Sequence, residues 1–290
     1  MSKPKFSLLD HRVLGWYYPW LMKGHTPTSS PLEKKMRLMK RLNYDGVGTS
    51  WWELVSFYQE QGDPDQLKTF SKEIDIPLSS CGILCDGWAF GRGKLQDNAV
   101  VMAKYLINLA HSAGCTGLYL NGPSDSGDIK GAAKAFREIC QYADDLGLAI
   151  ALEFMGYSPQ VNGINVAMDI VDRAEVQNSG LAIDAYHFFV GPSTFEDLDA
   201  LPDSSILSVH LADGPADLSD PAIDFDRLMP GEGELPLLEL VQAIAKKGFD
   251  AYWDIECIKG ADYATDLCEV AQHALKSTKD LVEKALPERS

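Results

Sequence analysis

Short apolar or β-branched runs alternate with longer amphipathic stretches along this chain, and the alternation repeats eight times. A strand covered on both faces reads as a brief unbroken apolar run. A helix lying against such strands reads as a longer segment with apolar positions three and four residues apart. On this basis strands are predicted at 13–18, 46–51, 78–85, 117–121, 149–154, 181–185, 206–211 and 251–257. The intervening helices are predicted at 31–42, 64–73, 95–113, 129–146, 163–176, 195–201, 235–247 and 263–285. Pro31 and Pro64 suit a first helical turn, where a missing N–H costs nothing. Gly114, Gly147 and Gly248 each follow a helix, where a left-handed stop favours glycine.

Eight β–α units in roughly 250 residues match a closed (β/α)8 TIM barrel, an α/β fold. An open doubly wound sheet is the alternative, but no Gly-rich phosphate loop follows the first apolar run. No Pro/Gly/Ser linker or shift of composition divides residues 1–290, so a single domain is expected.

In such a barrel the C-terminal ends of the strands converge on one pocket. Strands five to eight end in Glu153 (AIALEF), Asp184 then His187 (LAIDAYH), His210 then Asp213 (LSVHLAD), and Glu256 (YWDIEC). The intervals between Glu153, Asp184, His210 and Glu256 are 31, 26 and 46 residues, and the longest holds the extra segment 213–233. Three carboxylates and an imidazole therefore face one another at one rim. Buried carboxylates repel unless something neutralises them, and a divalent cation is the simplest such partner. Three oxygens and one nitrogen suit Mn2+ or Mg2+, while Co2+, Fe2+ and Zn2+ remain admissible. Taken singly, each of these residues could instead be a cap or a salt-bridge partner; four on successive strands favour the metal. His11, His25, His111 and His273 have no such company.

Composition narrows the partners. The 42 acidic against 26 basic residues give a net charge of −16, which repels nucleic acid and anionic membranes. The first twenty residues contain no apolar stretch long enough for a signal-peptide core, and no window approaches a membrane span. The six cysteines lack CxxC pairing, so buried free thiols in a reducing cytoplasm are expected. The long final helix could pack on a second copy to make a homodimer.

The second half resembles the xylose isomerase-like TIM-barrel superfamily, in the stretches ALEF, DAYH, SVHLAD, RLMPGEGELP and AYWDIE, spanning about residues 148 to 258. The resemblance implies Glu153, Asp184, His210 and Glu256 as metal ligands, with Glu153 and Glu256 also forming an acid–base pair on opposite faces of the substrate. It implies substrate-oxygen contacts for His187 and Arg227. Read from the residues alone, Arg227 is a lone cation in an acidic stretch, equally able to orient substrate or to bridge Asp224 or Asp226 at the surface. Asp213 could support a neighbouring ligand or simply make the turn before Gly214, and Glu232 lies in a glycine-flanked turn that it shapes.

The superfamily includes endonuclease IV, whose trinuclear zinc cluster needs histidines after early strands. Here those positions hold Trp51, Trp52 and Trp88 instead, and the late loop reads RLMPG. Trp16, Trp51 and Trp88 are expected at the barrel mouth, where aromatic faces can cover the C–H side of a sugar, although some will plug the mouth. No basic cluster or Gly-rich nest marks a phosphate site, so the expected ligand is an unphosphorylated carbohydrate or cyclic polyol. A hydroxy-carbonyl substrate would lose a proton to one glutamate and regain one from the other through a metal-stabilised enediolate. That describes a sugar isomerase or epimerase acting on a ketose or related polyol. The alternatives are a dehydratase or lyase of the inosose or 3-dehydroshikimate type, and a non-catalytic sugar-binding barrel.

Overall fold

A computed structural model describes residues 3–9, 32–218, 227–257 and 267–286. Eight parallel strands form one sheet: β1 (Lys5–Leu9), β2 (Val47–Ser50), β3 (Leu78–Ile83), β4 (Leu118–Asn121), β5 (Ile150–Glu153), β6 (Ser179–Asp184), β7 (Ile206–Leu211) and β8 (Tyr252–Glu256). Their hydrogen-bonded order is β1-β8-β7-β6-β5-β4-β3-β2, so sequence neighbours are spatial neighbours and β1 pairs with β8. At the seam between β1 and β2, Asp45 donates its N–H to the Phe6 carbonyl at 2.9 Å, and its carboxylate accepts from the Phe6 N–H at 3.0 Å. The sheet is thereby a nearly closed TIM barrel.

The principal helices are α1 (Leu32–Arg41), α2 (Trp51–Gln61), α3 (Asp65–Ile74), α4 (Lys94–Ala113), α5 (Ile129–Asp144), α6 (Ile164–Ala174), α7 (Ala185–Val190), α8 (Phe195–Ala200), α9 (Leu237–Lys246) and α10 (Leu267–Ala285). Gly114, Gly147 and Gly248 have positive φ, as their places after helices require. Among the described residues no helix is long and apolar enough to cross a membrane.

Two expectations are corrected. The first described strand is Lys5–Leu9, ahead of the expected segment 13–18, which lies outside the described residues. Both are short apolar runs; FSLL is in register with β8, with Ser7 opposite Asp254 and Leu9 opposite Glu256. Trp51 and Trp52, expected to end the second strand, instead open α2. That strand stops at Ser50 because Glu53 folds back on it, accepting from the Ser50 N–H at 3.2 Å and from Thr49 Oγ1 at 3.0 Å. The Lys35 ammonium reaches the same carboxylate at 3.1 and 3.2 Å, a buried pair that ties α1 to the top of β2.

Alternation along the strands separates two cores. Phe6, Leu8, Ile83 and Ile255 point outward into the large apolar layer under the helices. The barrel axis holds a much smaller cluster: Leu9, Tyr119, Ala151 and Ala182, with Leu207 at its edge. Gly82 leaves room for Tyr119, since a Cβ there would lie 2.5 Å from its hydroxyl, and Gly48 leaves room for Leu9, 2.4 Å from where a Cβ would stand. Above this thin apolar plug, the inward positions turn polar, and the site begins there.

Candidate metal centre

Glu153, Asp184 and Glu256 are the final residues of β5, β6 and β8, and His210 is the penultimate residue of β7. Parallel pairing sets Asp184 beside His210, while Glu153 pairs with Ala182 and His210 with Asp254, so the strands are staggered and the four side chains converge from different register positions. One potential ligand atom from each lies within 4.8 Å of those from the others, and all four residues are buried. His210 Nδ1 is 2.7 Å from Glu153 Oε1 and 3.1 Å from Glu256 Oε2, so the two glutamates flank the imidazole. The predicted constellation is assembled as the strand ends implied.

Its electrostatics are those of crowded acids. Burial raises the Glu153 carboxyl above its usual range; His210 opposes this, while Glu256 and Asp184 add to it. Burial works against a charged His210, but Glu153 and Glu256 overcome it and hold the imidazole well above its ordinary value. A protonated imidazole beside Glu153 and Glu256, together with the Arg227 guanidinium on Asp184, supplies positive charge to these acids. Three carboxylates and an imidazole at this spacing, closed off from water, fit a small divalent cation. Bound there, such a cation would take over the charge that the His210 proton provides.

Residues around the four fix their geometry. Asn121, at the end of β4, donates from Nδ2 to Glu153 Oε2 at 2.7 Å. Asp184 accepts from the His187 N–H at 2.7 Å, capping α7, and from Arg227 Nη1 at 2.6 Å. Arg227 is buried, stands 5.0 Å over the Tyr186 ring, and is 3.7 Å from Glu256 Oε2. It is thus a member of the site and not a surface ion pair; Asp224 and Asp226 lie outside the described residues. His187 is buried with Nε2 3.4 Å from Arg227 Nη2, and Tyr157 meets its ring edge-on at 5.3 Å. Tyr119 stands edge-on to His210 at 4.4 Å, and Ser208 Oγ is 3.1 Å from His210 Nε2.

Asp213 accepts from the backbone N–H groups of Gly214, Gly231 and Leu235 at 2.9, 2.9 and 3.2 Å, and it pairs with Leu228 through both backbone groups. It holds the loop that carries Arg227, which settles the two readings of this residue in favour of a loop organiser. Glu232 is at the surface against His273 of α10.

The aromatic expectations fare unevenly. Trp88 is a core residue: 1% exposed, its ring is packed 5.9 Å from Phe136, and its Nε1 donates to the Asn121 carbonyl at 3.0 Å. It props the end of β4 and offers no free face to a substrate. Trp51 is half-buried, edge-on to Trp52 at 5.7 Å. Trp16 lies outside the described residues. Sequence reading passed over Asn121, Tyr157, Tyr119 and Asp254. Asn121 carried the same signal as the acids, a polar residue ending an apolar strand. Tyr157 sits in the β5–α6 loop, where nothing in the sequence sets it apart.

The sequence pattern of the xylose isomerase-like TIM barrel family matches residues 36–280, and the chain belongs to that family. The inosose isomerase of Bacillus subtilis (strain 168) is 31% identical over 157 residues, 53% of this chain and 56% of that protein. The chain thus spans little more than half the length of that relative. The 3-dehydroshikimate dehydratase of Pseudomonas aeruginosa is 24% identical over 263 residues, covering 88% of this chain and 40% of its own. A crystal structure of the IOLI protein with a bound zinc atom superposes with a TM-score of 0.84 at 21% identity, over 97% of this chain and 99% of that one. At that identity the likeness concerns the fold.

Proposed function

We propose that this protein is a divalent-metal-dependent isomerase or epimerase acting on an unphosphorylated ketose or cyclic polyol. The observation that carries the reading is the pair of glutamates, Glu153 and Glu256, converging on the two sides of His210 with their oxygens 2.7 and 3.1 Å from one imidazole nitrogen. Glu153, Asp184, His210 and Glu256 would hold one Mn2+ or Mg2+ ion, which when bound supplies polarisation of the substrate's hydroxy-carbonyl oxygens. The chain's own groups do the rest. One glutamate takes the proton from the carbon beside the carbonyl, and the other delivers a proton. Delivery to the opposite face of the same carbon gives an epimer; delivery to the neighbouring carbon gives an aldose–ketose pair. The hydrogen bond from Asn121 fixes Glu153 in one orientation for this transfer. His187 and Arg227, on the Asp184 side, bind substrate oxygens. Burial of the cluster keeps water from competing for the proton.

A second reading, dehydration of an inosose or dehydroshikimate-like substrate, draws on the relative that matches 88% of the chain. It uses the same proton abstraction followed by loss of a β-hydroxyl. Incubation of Mn2+-loaded protein with a panel of free ketoses and inososes in D2O, followed by NMR, separates the two. Deuterium at carbon with the carbon skeleton and hydroxyls intact is the result expected. An enone product instead supports dehydration, and neither exchange nor product despite measurable sugar binding supports a non-catalytic barrel.

A further inference from the structure

Large apolar side chains stand exposed in two places among the described residues. Tyr58, Leu95, Val101, Met102 and Tyr105 project from α2 and α4, whereas Tyr157, 42% exposed, lies in the loop that follows β5. That loop leaves the strand end that carries Glu153, so Tyr157 belongs to the rim on which the cluster sits. Its ring is 5.3 Å from that of His187, with the two planes 78° apart. His187 Nε2 is 3.4 Å from Arg227 Nη2, and Arg227 Nη1 is 2.6 Å from Asp184 Oδ2. An exposed aromatic ring is thus linked through two buried side chains to a candidate ligand.

The backbone on either side of Tyr157 is fixed. The Met155 N–H donates to the Val161 carbonyl at 3.0 Å, and the Ser158 N–H donates to the Met155 carbonyl at 2.7 Å. Ser158 Oγ donates to the Pro123 carbonyl at 2.7 Å and accepts from the Val161 N–H at 3.2 Å. Gly156 lies flat against the end of α7, where a Cβ would be 2.7 Å from the His187 carbonyl oxygen and 2.9 Å from the Gly191 nitrogen. A ring held out by such a loop has little freedom left to lose when a ligand covers it. Beside it, His187 Nδ1 is buried and has no hydrogen-bond partner among the described residues. An apolar platform next to an unpaired polar atom suits a ligand with a C–H face and hydroxyls at its edge. A six-membered carbocycle with equatorial hydroxyls has that shape, since its axial C–H bonds form both faces. An open-chain polyol has no such face. We propose that Tyr157 is the stacking platform of the site and selects a six-membered cyclic polyol over an open-chain one. The inference rests on the isomerase or epimerase reading and narrows its substrate class.

The test compares scyllo-inositol with D-sorbitol, two six-carbon polyols with six hydroxyls each that differ in ring closure and lack a carbonyl to react. Binding to the Mn2+-loaded wild type, Tyr157→Ala and Tyr157→Phe is read by isothermal titration calorimetry. The wild type should bind scyllo-inositol at least about 10-fold more tightly than sorbitol. Tyr157→Ala should weaken scyllo-inositol about 10- to 100-fold and sorbitol less than about 3-fold. Tyr157→Phe keeps the aromatic face and should stay within about 3-fold of wild type for both. The ratio between the probes is the readout, because a structural fault weakens both alike. Equal losses for both in the alanine variant, or no loss for scyllo-inositol, would overturn the platform. A phenylalanine variant that falls as far as alanine would assign the contact to the hydroxyl and overturn it too. So would a wild type without preference for the ring, or one that binds neither polyol. Deuterium exchange into the ketone panel reports on the isomerase reading separately, so the two can fail independently.

Discussion

Replacing Arg227 with methionine tests how the cluster balances its charge. Arg227 Nη1 is 2.6 Å from Asp184 Oδ2 and 3.7 Å from Glu256 Oε2, and the guanidinium is buried over Tyr186. Methionine restores much of the volume but leaves Asp184 with the His187 N–H as its remaining charge-stabilising contact among those described here. Removing one partner of a buried ion pair costs about 3–5 kcal/mol, because the other charge stays behind. For a chain of this size each kcal/mol shifts Tm by roughly 2–3 °C, so the metal-free Arg227→Met protein should melt about 6–15 °C lower. Mn2+ should then rescue the variant more than it stabilises the wild type, since the cation replaces lost positive charge. Differential scanning fluorimetry with EDTA and with excess Mn2+ measures both. A metal-free Tm within about 2 °C of wild type would refute the buried-pair argument on the same scale. Equal Mn2+ increments in the two proteins would show that Arg227 is not coupled to the cluster.

Three further outcomes follow from the same geometry. Glu153, His210 and Asp254 are all held above their ordinary values, Asp254 to about 7. The buried groups together therefore bind more protons in the folded, metal-free protein than they do in the unfolded chain, a contribution to stability that is lost as pH rises through the folded values. Metal binding expels these protons, so the Tm gap between Mn2+-loaded and metal-free protein should widen from about pH 5 to about pH 8; a narrowing gap contradicts this. Asn121→Leu removes the 2.7 Å hydrogen bond to Glu153 and should lower kcat roughly 10- to 100-fold with a smaller effect on KM, checked by steady-state kinetics on the substrate the D2O panel identifies. Trp88→Phe should lower Tm while leaving KM unchanged, because the ring is in the core; a raised KM with unchanged Tm would restore it to the substrate site.

The second half of the barrel was legible because buried parallel strands are apolar up to the residue that faces the pocket. Glu153, Asp184, His210 and Glu256 each interrupt such a run at its end, and the structure brings them together. In the first half Asn121 ends β4 in the same way, but as a neutral amide it carries a weaker signal than a charged residue. FSLL and VLGWYY are both short apolar runs that sequence alone does not rank, and it is the pairing of Lys5–Leu9 with β8 that identifies β1. The α2 helix was lost because WWELVSFY reads as a continuation of a strand, although Ser50 and Glu53 had the spacing of a helix start. Trp88 looked like a mouth residue because sequence places it after a strand; its burial depends on Phe136 from α5, a contact no local pattern contains. The burial of Arg227 was hidden for a similar reason. Its acidic sequence neighbours invite a surface reading, whereas Asp213 pins its loop inward from the end of β7.

The central claim is that Glu153, Asp184, His210 and Glu256 together hold one divalent cation. The most direct measurement is metal content by ICP-MS after loading with Mn2+ and exhaustive dialysis against chelator-free buffer, on wild type and on Asp184→Ala and His210→Ala. The account predicts one equivalent per chain for the wild type and a large loss in both variants. Wild-type protein that retains no metal, or variants that retain a full equivalent, would contradict it.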